Sequence, residues 1–135
     1  MDREDKLLVA ALLVFMARGS GRIEQQEADT MIALLSEYCG ITGAEALELL
    51  QTAINELAEQ PAAGASLTGR ARSLSDERKE DLAYLALRVI AADGKREAAE
   101  MAQFNRAVEV AGIDAGVVHR AFDRFFAETM PETGD

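Results

Sequence analysis

Two stretches of the chain are apolar on nearly every side when wound at helical spacing. They are Leu7 to Ala17 (LLVAALLVFMA) and the segment holding Leu82, Leu85, Ala86, Val89 and Ile90. A helix of that kind has to be surrounded by other helices, so both are expected at the centre of the fold. Elsewhere the apolar positions recur on one face only. Ala28, Met31, Ile32, Leu35 and Tyr38 form one such stripe, with Glu27, Asp29, Ser36 and Glu37 left to solvent. Leu47, Leu50, Ala53, Ile54 and Leu57 form a second, and Met101, Phe104, Ala107 and Val108 a third. Val118, Phe122, Phe125 and Phe126 complete the set.

The punctuation agrees with these stripes. Asp2, Thr42, Ser75 and Asp114 stand where a side-chain oxygen would take up the first free amides of a helix, and Thr42 with Glu45 makes a capping box. Gly19, Gly21, Gly40 and Gly112 stand at expected helix ends, and Pro61 forbids continuation of the third helix. The pattern predicts helices over 2–18, 24–39, 42–60, 75–92 and 97–111, and one starting at 114.

Shifted by 73 residues, the two halves fall into register. Val9 meets Leu82, Leu12 meets Leu85, Gly21 meets Gly94 and Glu27 meets Glu100. After the second helix the shift is 72, so that Ile41 meets Ile113, Thr42 meets Asp114, Leu50 meets Phe122 and Ile54 meets Phe126. The expected fold class is therefore all-α, with six to seven helices in two pseudo-symmetric three-helix repeats around two central apolar helices. The whole of 1–135 reads as one domain. Repeat one covers about 2–60, a linker 61–74, repeat two about 75–128, and a frayed tail 129–135. Neither repeat could bury its central helix alone.

Composition sharpens this picture. Ala and Leu fill the apolar positions and β-branched residues are sparse, which favours helices over strands. A net charge of −10 with no Lys/Arg stripe argues against nucleic acid, and against anionic membrane surfaces. Metal cations or a basic patch on another protein suit this field better. The run Leu7 to Ala17 is too short to span a bilayer. The acidic start MDRED lacks a signal peptide's positive region, so a cytoplasmic location is expected. Cys39 is the single cysteine; at an apolar helix end it reads as a small core residue.

The segment Val89 to Glu100, VIAADGKREAAE, joins the end of one apolar helix to the next through Asp93-Gly94, and MARGSGRIEQQE at Met16 to Glu27 is a weaker copy. Together with Arg78, the residues Asp93, Gly94 and Glu100 resemble the pattern of the TerB-like tellurite-resistance family, also found as the N-terminal domain of DjlA-type co-chaperones. The similarity covers roughly residues 5 to 127. It implies an all-α fold of about seven helices and acidic positions that bind a divalent metal. It also implies a role in stress-response and membrane-linked assemblies rather than in catalysis. Ser20 replaces the motif's Asp in the first copy, and Arg96 replaces an apolar residue in the second.

Asp93, Glu97 and Glu100 are the candidate metal ligands, with calcium, magnesium or manganese as the cation; Glu24 and Glu27 are their first-copy equivalents. Oxygen ligands on a tight turn suit such ions, but Lys95 and Arg96 stand where a full calcium loop has further ligands. Turn and cap chemistry accounts for the same residues: Gly94 in a left-handed turn, Asp93 bonded to following amides, and Glu100 capping its own helix. Glu24 and Glu27 equally suit the positive end of a helix dipole. His119 aligns with Leu47 and is expected to pack inward. Arg78 is expected in a structural salt bridge, and Asp76 to Asp81 (DERKED) on a solvated face with ion pairs along its own helix. Nucleophile triads, phosphate loops and dinucleotide fingerprints are missing. The expected function is a non-enzymatic module that binds protein partners, with a divalent-metal-binding module as the alternative. A homodimer through helix two or five is compatible with the pattern.

Overall fold

The computed structural model describes residues 2–17, 25–59, 69–93 and 98–129. Among them all regular structure is helical: α1 (Arg3–Ala17), α2 (Gln25–Cys39), α3 (Gly43–Glu59), α4 (Asp76–Ile90), α5 (Ala98–Val110) and α6 (Ala115–Thr129). A 3₁₀ turn, Ala91–Asp93, follows α4 directly. A further helical turn over 69–72 lies within the expected linker.

The starts and stops are those the sequence dictates. Asp2 Oδ1 accepts from the amide of Asp5 at 2.9 Å, Thr42 Oγ1 from Glu45 at 3.2 Å and Ser75 Oγ from Arg78 at 3.1 Å. Asp114 Oδ1 accepts from Gly116 at 2.7 Å and Val117 at 3.2 Å. Each of these bonds satisfies an amide that the helix itself leaves open. α2 and α5 end alike, on Gly40 at φ +65° and Gly112 at φ +74°. The next amide then reaches back, Ile41 to the Ser36 carbonyl at 3.0 Å and Ile113 to the Val108 carbonyl at 2.9 Å. Only glycine takes that left-handed φ without strain, and the two ends match under the shift of 72.

α1 and α4 form the centre. Every residue from Leu8 to Val14 is buried, as is every residue from Leu82 to Leu87, and the two helices pack on each other. α3 packs on α1 and α6 on α4, each within its own half. The second helices also cross over: α2 packs on α4, and α5 on α1. Tyr38 donates to Asp81 Oδ2 at 2.9 Å, tying α2 to α4. Gln103 Nε2 donates to the Phe15 carbonyl at 3.1 Å, tying α5 to the end of α1. The halves are interlaced rather than stacked.

Three stripe assignments need correction. Leu47 is 42% exposed, and α3 instead buries Ala46, Leu49, Leu50 and Ala53. On α6 the buried line is Val117, Ala121 and Phe125; Val118 and Phe122 are half-buried, and Phe126 is 37% exposed. Adjacent residues on a helix lie about 100° apart, so α6 carries two neighbouring apolar lines and the core takes only one. His119 does not pack inward either: it is exposed and pairs through Nδ1 with Asp123 at 3.2 Å.

Candidate functional site

Beyond its first turn, α4 carries Glu80, Asp81, Tyr84 and Arg88, spaced to lie along one side of the helix. α6 opposes them with Arg120, Arg124 and Glu128, each one turn apart. The two rows meet as a ladder. Arg120 Nε lies 2.9 Å from Glu80 Oε1, and Arg124 Nη1 lies 2.8 Å from Asp81 Oδ1. The Arg124 guanidinium also stands over the Tyr84 ring, 4.2 Å from its centre, in the range of a cation–π contact. Arg88 donates to the Tyr84 hydroxyl at 2.7 Å, and that hydroxyl donates to the Glu128 carboxylate.

α2 completes a cleft of about 340 Å³ over this ladder, with Glu37, Tyr38, Tyr84, Arg88, Arg124 and Glu128 among its walls. Burial, and then the hydrogen bond to Asp81, push the Tyr38 phenol up to about 12, so it remains a neutral donor. Donors and acceptors here are matched to one another, which fixes the helix angles and presents two aromatic rings and two guanidinium groups to the cleft.

The run Asp76 to Asp81 is accordingly a solvated face only at Asp76 and Glu77, and its pairs do not run along its own helix. Glu80 and Asp81 bind arginines of α6. Lys79 is only 9% exposed, and its Nζ donates to the Gly112 carbonyl at 3.2 Å, where a cation suits the negative end of α5. Arg78 makes no salt bridge among the described residues; its guanidinium lies 5.9 Å from the centre of the Tyr38 ring. Cys39 is half-buried, and burial pushes its thiol up, which keeps it in the unreactive thiol form.

The predicted acidic site is placed in part. Glu27 is not solvated: it is 3% exposed. α2 packs on the 3₁₀ turn that carries Asp93 as well as on α4. Tyr38 touches Asp81, eleven residues after Glu27, and Ala92 follows Asp81 by the same eleven. At ~1.5 Å per residue that puts Glu27 of the first half level with the Asp93 turn of the second. Glu24 and Glu97 lie outside the described residues, as do the side chains of Asp93 and Glu100. Among the described residues no three of His, Cys, Asp and Glu gather as metal ligands do.

The family model described as Tellurite resistance protein TerB matches residues 6–124. The chain belongs to the TerB family. No curated protein and no solved structure matches it. The TerB match covers both halves, so α1 to α3 as well as the Asp93-Gly94 segment belong to the family unit. Among the described residues no helix of this TerB domain is long and apolar enough to cross a membrane.

The α4–α6 ladder was missed in the sequence because the charges of DERKED were paired along one helix. The spacing of Arg120, Arg124 and Glu128 was the available signal, since it repeats on α6 the sides that Glu80, Tyr84 and Arg88 take on α4.

Proposed function

We propose that this TerB domain is a non-enzymatic interaction module of the cytoplasm, acting in a stress response of the tellurite type on protein partners with basic surfaces. The uneven use of charge carries this reading. Arg88, Arg120 and Arg124 pair with the protein's own carboxylates along the α4–α6 seam. Glu37, Glu45, Glu56, Glu77 and Glu109 are exposed and make no ion pair among the described residues. With a net charge of −10, the field outside the domain draws cations and basic proteins. The test is recovery of partners from the host cell, under tellurite exposure, by the domain and by a form with Glu37, Glu45 and Glu56 changed to Lys. Partners should be retained by the first and lost by the second, and lost by both at high salt. Turnover of any substrate abolished by one carboxylate substitution would sink the reading.

A second reading has its own observation. A carboxylate buried to 3%, level with the turn that carries Asp93, is the kind of donor a calcium, magnesium or manganese ion takes. Glu27 and Asp93 would then hold the ion, with Glu24, Glu97 and Glu100 as the other candidates. The ion would tie the first half to the second across the interlaced helices. Isothermal titration with calcium, magnesium, manganese and zinc decides it: sub-millimolar binding should disappear in Glu27→Gln and Asp93→Asn, and its absence in the unaltered domain rejects the ion.

A further inference from the structure

The inner line of α6 leaves its second line, Val118, Phe122 and Phe126, toward the surface. Phe126 is 37% exposed and stacks on Phe122 with ring centres 6.1 Å apart. Beside this line, at the junction of α5 and α6, an open groove of about 450 Å³ is walled by Val108, Ile113, Ala115, Val118 and Phe122. Its rim carries Glu109 and His119. Glu109 makes no ion pair among the described residues, and His119 is held by Asp123. From Val118 to Phe126 the line extends about 12 Å, at ~1.5 Å per residue, which is a little over two helical turns. An apolar strip of that length suits the face of one helix.

We propose that this groove docks an amphipathic helix of a protein partner, apolar toward Val118 and Phe122 and lysine- or arginine-bearing along the edge beside Glu109. The inference rests on the basic-partner reading above and adds the place and the partner's shape. Charge selects among occupants. A second copy of this chain would bring another net −10 and another Glu109 to the same seam, and like charges set against each other cost a complex several-fold or more in affinity. An anionic lipid surface is repelled in the same way. A basic helix gains both the apolar contact and the attraction.

The test uses the full chain, ¹⁵N-labelled, and two synthetic helical peptides with the same Leu/Phe face, one flanked by lysines and one by glutamates. The lysine peptide should bind at least about tenfold more tightly, a difference well within reach of a few rim charges, with shifts centred on Val108, Ile113, Val118 and Phe122. Val118→Asp should abolish those shifts. Glu109→Lys is exposed and leaves the core untouched, so it should remove the preference for lysine without unfolding the chain. Equal binding of the two peptides, or binding that both variants leave intact, overturns the proposal. So does self-association in sedimentation that Val118→Asp abolishes, since that assigns the groove to a second copy. If the lysine peptide instead shifts Glu45 and Glu56, the groove is wrong and the basic-partner reading stands. If it binds nowhere, both fail.

Discussion

The seam between the second and third helices is closed in the first half and open in the second. Under the shift of 72, Ala46, Leu50 and Ile54 of α3 correspond to Val118, Phe122 and Phe126 of α6. Ala46 and Leu50 are buried, and α2 lies along α3. Val118 and Phe122 are half-buried, and α5 has no comparable packing along α6 among the described residues, meeting it through Phe104 edge-on to Phe122 at 5.9 Å. Side-chain size at the contact sets how near two helices come. Alanine and leucine let α2 approach; valine and phenylalanine hold α5 away. A duplicated unit can thus keep its caps, its stops and its central helix while one copy exchanges core packing for surface.

The largest effect expected is loss of folding when the halves are parted. Fragments 1–60 and 75–135 should each lack a cooperative thermal transition by circular dichroism, because each would expose a central helix and the face that receives the other half's second helix. Mixing them should restore the transition. A fragment that melts cooperatively by itself would break the interlaced account.

Next come paired truncations across the seam. Leu50→Ala should destabilise by about 2–5 kcal/mol in urea denaturation, the usual range for a buried leucine. Its counterpart Phe122→Ala should cost less despite the larger side chain, because part of the ring already faces water. Equal or reversed costs would mean that the two seams are packed alike.

The helix stops give a smaller contrast. Gly40→Ala should cost about 1 kcal/mol for the left-handed φ alone, since a Cβ there meets nothing within 4 Å. Gly112→Ala should cost more, because its Cβ would come within 2.8 Å of Arg72 Cγ. Comparing the two urea midpoints checks the order. On the α4–α6 ladder, Arg124→Met should cost about 1 kcal/mol, as partly exposed pairs do, with the loss shrinking as salt is added.

The contrast confined to the narrowest range of conditions lies in the titration of Tyr38. Its phenol stays protonated in the folded chain up to about 12, against the ordinary value of 10.0. Below pH 10 both states hold the proton and stability is unaffected. As pH rises through the window between those values, the unfolded chain loses the proton first and stability falls. Ultraviolet titration should find the Tyr38 phenol late, and Asp81→Asn should move it earlier.

The architecture was legible because its signals are local. Caps at Asp2, Thr42, Ser75 and Asp114, stops at Gly40 and Gly112, and two helices apolar all round are each written within a few residues, and the TerB match agrees with the resemblance that Arg78, Asp93, Gly94 and Glu100 carried. The burial of Glu27 was not legible, since it depends on α2 crossing to the other half, and no spacing within α2 records that. Nor was the choice between the two apolar lines of α6, where periodicity admits either and only the neighbouring helix decides. The Glu80–Arg120 and Asp81–Arg124 pairs span about forty residues, beyond the reach of any helical rule.

The crossing of α2 onto α4 and of α5 onto α1 has a consequence for synthesis. When the first sixty residues have left the ribosome, α4 is still held in the exit tunnel, so the bare side of the leading rod and the inward side of α2 must wait in water. A nascent chain in that state is prone to aggregate, and that exposure ends only when residues 76–90 arrive to cover it.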